Sequence, residues 1–373
     1  MTASPSPQVV VAKIGTSSIT DEHGDVNTVA VDKFCAEVAV LRAAGHRVVV
    51  VTSGAIAAGL PAIGLGGDRR PTDPVTLQAI SAVGQSRLMR VYDESFATHD
   101  LVAGQVLLAP LDFGVRQQYL HARGTLERLL DLGVVPVINE NDAIADDEIR
   151  FGDNDRLGAL VAHLVEADLL VLLTDMAGLF TADPRLDTSA SLIEEIIEID
   201  QTLEAAAGGV GSSVSTGGMA SKLAAAKIAT WSGVETVIAS ATRANVLSDA
   251  VARADGVGTR FVARDQRLAA RRLWIAFAVP ASGRIVVDQG ARRALEERNG
   301  SLLPAGIRST SGNFAADDAV EVMHLADARA LPGGVTLETI DGRPWCLKQS
   351  ELDYSAFGVY VVSRLASTLA KHF

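Results

Sequence analysis

The sequence predicts an α/β fold, a mostly parallel sheet sandwiched by helices, followed by a small β-rich C-terminal domain. Three observations carry this. Short β-branched runs alternate with segments of helical length, the runs are apolar almost without interruption, and small residues dominate: of 373 residues, 48% are hydrophobic, only 5% aromatic, and 33 are glycine. The alternation is the pattern of a parallel sheet, and uninterrupted apolarity is what strands covered on both faces require.

The strand candidates are Val9 to Ala12, Val48 to Val51, Val102 to Leu108, Val134 to Ile138, Leu169 to Leu173 and Thr236 to Ala239. Ala30 to Ala44 and Leu77 to Phe96 have helical length, and Gly45 and Gly133 stand where a left-handed residue would end a helix. The uncharged run from Val48 to Gly67 holds five glycines, a proline and a Thr-Ser pair, poor material for a membrane span of ~20 apolar residues. It is expected to be a strand followed by a glycine-rich turn. At roughly 150 residues per domain the length implies two or three domains. The pattern changes after Phe261, where VARDQRLAARR is polar and arginine-rich. The expected divisions are a catalytic domain over 1–263, a linker over 264–279 and a β-rich domain over 280–373.

A net charge of -12 disfavours a polyanionic partner unless basic residues are segregated. One basic island exists: Arg264 to Arg308 holds nine arginines and four acids, a local charge of +5. Cys35 and Cys346 lie far apart and form no CxxC or Cys/His cluster, which suggests neither a disulfide framework nor a zinc site, and a reducing cytoplasm is expected. The opening MTASPSPQ has no basic region and no apolar core, unlike a secretory signal.

Several turns could hold phosphate. Lys13-Ile14-Gly15-Thr16-Ser17-Ser18 and Thr52-Ser53-Gly54-Ala55 each end a strand, where open α/β sheets bind ligands. Plain tight turns would account for them equally well. Val214 to Lys222, reading VSTGGMASK, sets a Gly pair before an Ala-rich helix, so that backbone N–H groups and Lys222 face whatever lies there. A flexible linker capping a helix is the plainer alternative. Thr174-Asp175 ends another strand and could be a nucleotide contact or an Asx-turn. No G-x-x-x-x-G-K-[ST] occurs, and no G-x-G-x-x-G follows a strand. Residues 138–155, INENDAIADDEIRFGDND, crowd seven carboxylates together, but Asp153-Asn154-Asp155 runs into Arg156-Leu157 and misses the EF-hand pattern.

Taken in order, AKIGTSS, VVTSGAIAAG, AVGQSRL, PVINENDAI, EIRFGDND, LLTDMAGLFTADPR and STGGMASK resemble the amino acid kinase family, in its glutamate-phosphorylating branch, over roughly residues 9 to 263. GRIVVDQGARRALEERNGSLLPAGIRSTSGNFAADDAVEV resembles a PUA domain, whereas the chain beyond about Ala326 departs from the usual ending. The resemblance implies transfer of the γ-phosphoryl of ATP to the side-chain carboxylate of L-glutamate, the first step of proline biosynthesis. It gives Lys13 and Lys222 the phosphates and Asp155 the task of orienting those lysines. Ser53, Asp142 and Asn154 become glutamate contacts, with Asp142 facing the α-ammonium. Thr174, Asp175, Thr216, Gly217, Gly218, Met219, Ala220, Ser221 and Lys222 become nucleotide contacts. No dedicated metal site is implied, Mg²⁺ arriving with ATP. A homodimer or homotetramer and feedback by proline are also implied. Asp146, Asp147 and Glu148 remain a solvated or regulatory loop.

Two alternatives stand beside this. A kinase of the same family acting on N-acetylglutamate would have less use for Asp142, because its substrate has no free α-ammonium. An RNA-binding or RNA-modifying protein is suggested by the PUA-like region and its basic island, against which stand the acidic chain and the absence of RNP1-type signatures. An interaction or stabilising role for that region is preferred.

Overall fold

The Val-rich runs become the centre of a sheet because each can bury both faces. In the computed structural model the chain is described over residues 6–21, 25–65, 71–109, 112–113, 115–144, 154–182, 187, 189–199, 203, 218–265, 283–296, 302, 304–312, 319–324, 352–354 and 359–362. The first sheet comprises β1 (Val9–Ile14), β2 (Arg47–Val51), β3 (Ala103–Leu108), β4 (Val135–Glu140), β5 (Leu169–Thr174), β6 (Glu195–Ile196), β7 (Glu235–Ser240) and β8 (Gly258–Phe261). Their spatial order is β3-β4-β2-β1-β5-β7-β8-β6. Six strands run parallel, while β8 pairs antiparallel to β7 and carries β6 alongside it. All six residues of β4 and of β5 are buried, as doubly covered strands should be.

The covering helices are α1 (Thr16–Ile19), α2 (Thr28–Ala43), α3 (Ala55–Gly59), α4 (Pro74–Ala97), α5 (Arg116–Asp131), α6 (Asn154–Leu164), α7 (Met219–Trp231) and α8 (Val246–Val251). Their starts are written in the sequence. Asn27 caps α2 by accepting from Ala30 N at 3.1 Å, and Asp73 caps α4 by accepting from Thr76 N at 2.9 Å, with Pro74 at the first helical position. Gly45 and Gly133, at φ 90° and 80°, end α2 and α5 in the left-handed region.

The run after Val51 is more ordered than a turn. Gly54, at φ 93°, reverses the chain so that Ala55 to Gly59 wind into α3, and Pro61–Ile63 add a 3₁₀ turn. What makes this helix stable is α4. A Cβ on Gly84 would lie 1.7 Å from the carbonyl oxygen of Ala55, and one on Gly59 would lie 2.2 Å from that of Ile80. The two backbones therefore touch, and only glycine permits it. Among the described residues no helix is long and apolar enough to cross a membrane.

The chain divides into two units, Met1–Leu268 and Ala269–Phe373. The second holds a five-stranded sheet of β9 (Gly283–Val287), β10 (Ile307–Gly312), β11 (Ala319–His324), β12 (Leu352–Tyr354) and β13 (Val359–Val362), ordered β10-β9-β11-β13-β12. Helix α9 (Gln289–Glu296) supplies Ala291 and Leu295 to a small core with Ile285, Val287, Leu302 and Val320. Two strands thus come from the segment beyond Ala326, and β13 pairs antiparallel with both β11 and β12.

Gly84→Ala places a methyl group inside the α3–α4 contact, and overpacking of this kind costs about 3 kcal/mol. A lowered melting temperature is expected; unchanged melting would contradict the backbone contact.

Candidate active site

Parallel strands present their C-terminal ends at one edge of a sheet, and strand order reverses beside β1: β2 and β4 lie to one side, β5 and β7 to the other. Such a reversal opens a crevice for ligands. The residues at this edge are Lys13 near the end of β1, Thr52 and Ser53 after β2, Asn139 to Asp142 at the end of β4, and Thr174 and Asp175 at the end of β5. Helices α6 and α7 contribute their first turns.

Lys13, Asp155 and Lys222 meet here. The Lys13 ammonium forms an ion pair with Oδ1 of Asp155, and Lys222 Nζ lies 3.0 Å from Oδ2. The exposures are 3% for Lys13, 0% for Asp155 and 5% for Lys222, so all three charges are withdrawn from bulk water. Burial would push the Asp155 carboxyl up, but Lys13 and then Lys222 act against it and hold it below the ordinary carboxylate value. Its place in the first turn of α6 adds a favourable helix-dipole contact. The two ammonium groups share this one carboxylate, each bound to its own oxygen. Ser221 Oγ stands 3.3 Å from Asp155 Oδ2 and 2.8 Å from the Gly218 carbonyl, tying the entrance of α7 to the trio.

On the β2–β4 side, Asn154 links three segments. Its Nδ2 lies 2.6 Å from the Thr52 carbonyl, 2.9 Å from Ser53 Oγ and 2.8 Å from Asn139 Oδ1. Asn139 donates in turn to Gln85 Oε1 at 3.3 Å, which also accepts from Gln105 at 3.3 Å. Gln85 Nε2 donates to the Glu140 carbonyl at 3.3 Å, Thr52 Oγ1 pairs with Tyr92 OH at 2.7 Å, and Ser81 Oγ donates to Asp142 Oδ2 at 2.6 Å. Ser81, Gln85 and Tyr92 recur at helical spacing along one face of α4.

On the β5–β7 side, Thr174 Oγ1 donates to Asp175 Oδ1 at 2.9 Å, and the Thr174 carbonyl accepts from Ala241 N at 2.7 Å. Lys33 on α2 holds that loop by donating to the carbonyls of Ala241 and Arg243 at 2.7 and 2.6 Å.

The structure therefore brings Lys13, Asp155, Lys222 and Ser221 into direct contact, and Ser53 into contact with Asn154. Gly218 caps α7, and Met219 and Ala220 begin it. Asp142 reaches the network through Ser81. Thr216 and Gly217 lie outside the described residues, as do Asp146, Asp147 and Glu148. Ser81, Gln85, Tyr92, Asn139 and Lys33 had no assigned role. The signal for two of them was present: AVGQSRL and PVINENDAI carry Gln85 and Asn139. Among the described residues no group of three or more His, Cys, Asp or Glu is arranged to hold a metal ion.

A crevice that gathers two buried ammonium groups beside two helix N-termini defines an anion-handling α/β protein. The amino acid kinase family model matches residues 8–240 and the PUA domain model residues 283–344. The chain belongs to the amino acid kinase family. Within it, the chain is 46% identical to the glutamate 5-kinase of Paraburkholderia phytofirmans over 350 residues, 92% of this chain and 93% of that protein. It is 48% identical to the glutamate 5-kinase of Citrifermentans bemidjiense over 317 residues, 84% of this chain and 83% of that one. Carbamate kinase from Giardia lamblia bound to AMP-PNP shares the fold, with a TM-score of 0.50 and 19% identity over 69% of this chain and 99% of its own.

Because the folded-state pKa of Asp155 is depressed, its contribution to stability is present above the unfolded value of about 3.9 and is lost as pH falls through the folded one. Below about pH 4, Asp155→Asn should melt with a shallower pH dependence than the native protein. At neutral pH it should be less stable by about 3 kcal/mol, the effect of breaking a buried pair. Parallel melting curves from pH 6 to pH 2 would contradict the assignment.

Proposed function

We propose that the protein transfers the γ-phosphoryl group of ATP to the side-chain carboxylate of L-glutamate, forming L-glutamyl 5-phosphate at the entry to proline biosynthesis. The observation that carries this is the buried Lys13–Asp155–Lys222 trio at the sheet edge, which sets two ammonium groups side by side. The kinship with glutamate 5-kinases supports the choice of acceptor.

The nucleophile needs no general base. A glutamate side chain with a pKa near 4.3 is already ionised at neutral pH. A carboxylate oxygen attacks the γ-phosphorus, the bond to the β,γ-bridging oxygen breaks, and its electron pair leaves on ADP. No proton moves. The barrier is electrostatic, since an anion must approach a triphosphate. Lys13 and Lys222 supply the positive charge, and Asp155 offsets their mutual repulsion and fixes their separation. The first turn of α7, from Gly218 to Lys222, turns backbone N–H groups toward the phosphates, and Thr216 and Gly217 are assigned to the nucleotide by the family resemblance. Thr174 and Asp175 meet the nucleotide from β5.

Ser53 and Asn154 hold the acceptor carboxylates, and Asp142 meets the α-ammonium. Mg²⁺ enters with ATP as part of the substrate and offsets phosphate charge. Proline competes at the glutamate pocket, and the working form is a cytoplasmic dimer or tetramer.

With Mg-ATP, ADP release is expected with L-glutamate and none above background with N-acetylglutamate; the reverse preference would contradict the assignment of Asp142. Lys222→Ala should lower kcat about 10²- to 10³-fold, the usual effect of removing one group that stabilises developing charge. Native turnover in that variant would overturn the mechanism.

A further inference from the structure

Asp142 follows a strand rather than lying within one, two residues beyond the end of β4. A carboxylate in such a turn has several rotamers, and only some of them aim an oxygen at an amine in the crevice. Ser81 removes that freedom. Its side chain is fully buried on α4, and its hydroxyl donates to Asp142 Oδ2 at 2.6 Å, a charge-assisted bond stronger than one between neutral groups. A helical serine ordinarily turns its hydroxyl back to a carbonyl of the preceding turn. This one is directed across 61 positions of sequence to the site.

Its support is rigid. Gly84, less than one turn further along α4, is in backbone contact with Ala55, the residue that begins α3 two positions after Ser53. Gln85 and Tyr92, on the same face, bond to the Glu140 carbonyl and to Thr52. Asp142 is thereby fixed to the frame that carries Ser53 and, through it, Asn154.

We propose that Ser81 is a positioning residue for acceptor recognition: it fixes the Asp142 carboxylate in the orientation that meets the acceptor's α-ammonium. This rests on the function proposed above. The bond holds one carboxylate oxygen and sets the plane of the group, so that the acceptor does not have to order it on arrival. Held in this way, Asp142 distinguishes a free ammonium from an acylated nitrogen more sharply than a mobile carboxylate would. The effect belongs to acceptor binding and leaves the nucleotide side untouched.

The test is steady-state kinetics of the full chain, with L-glutamate and Mg-ATP varied in turn, for the native protein, Ser81→Ala, Asp142→Ala and the double variant. Thermal melting verifies that each is folded. Ser81→Ala should raise the glutamate KM about tenfold, as loss of a hydrogen bond to a charged group does, while the ATP KM stays within about twofold. In the Asp142→Ala background the second change should add nothing, because no carboxylate remains to be positioned. If the alanine variant fails to fold, Ser81→Cys, close in size and a weak donor, gives the same readout. An unchanged glutamate KM, an equal rise in both KM values, or full additivity with Asp142→Ala would overturn the proposal. The two levels separate cleanly. Native glutamate KM in Asp142→Ala defeats the acceptor assignment itself, whereas a raised KM there with a native value in Ser81→Ala defeats only the role of Ser81.

Discussion

One carboxylate held between two buried ammonium groups is the constraint on which the rest of this structure depends. Asp155 has no exposed surface, and Lys13 and Lys222 have almost none. Placing three charges there is costly unless each meets an opposite charge, so β1, α6 and α7 must converge to within ion-pair distance. The arrangement sets two ammonium groups on one carboxylate. Together with the N-termini of α6 and α7 these ammonium groups attract an anion, and the crevice beside them is where the sheet order reverses.

The acceptor side is built by a different principle. Amide and hydroxyl groups of Gln105, Gln85, Asn139, Asn154 and Ser53 pass hydrogen bonds from the β3 edge of the sheet to the crevice. Helix α4 serves as the frame for this network. Its glycine contact with α3 brings it against the turn that carries Ser53, and its polar face meets the ends of β2 and β4. Packing at a glycine pair and orientation of a polar site are here one structural decision. The opposite side has its own brace, in which Lys33 holds the loop whose Ala241 amide meets the Thr174 carbonyl.

Much of the sheet was legible in the sequence, because continuous Val and Leu runs admit few environments, and Gly45 and Gly133 mark helix ends through their backbone freedom. Helix α3 was not, since AIAAG is short and its stability lies in the contact with Gly84 and Ile80 rather than in local propensity. The reversed edge formed by β8 and β6 also escaped, because four- and two-residue strands carry little periodicity. Within the site, Lys13, Asp155 and Lys222 were nameable from their motifs, but their contact joins residues 67 and more positions apart. Ser81 and Tyr92 were silent. A buried serine and a core tyrosine on an amphipathic helix look like packing until the partner across the fold is known.

The central claim is that the Asp155 carboxylate sets the two lysines where charge develops in phosphoryl transfer. Single-turnover transfer by Asp155→Asn, with ATP and L-glutamate saturating and the variant verified as folded, tests it most directly. The account predicts a fall in rate of at least about 100-fold. A rate within about threefold of the native protein would contradict it.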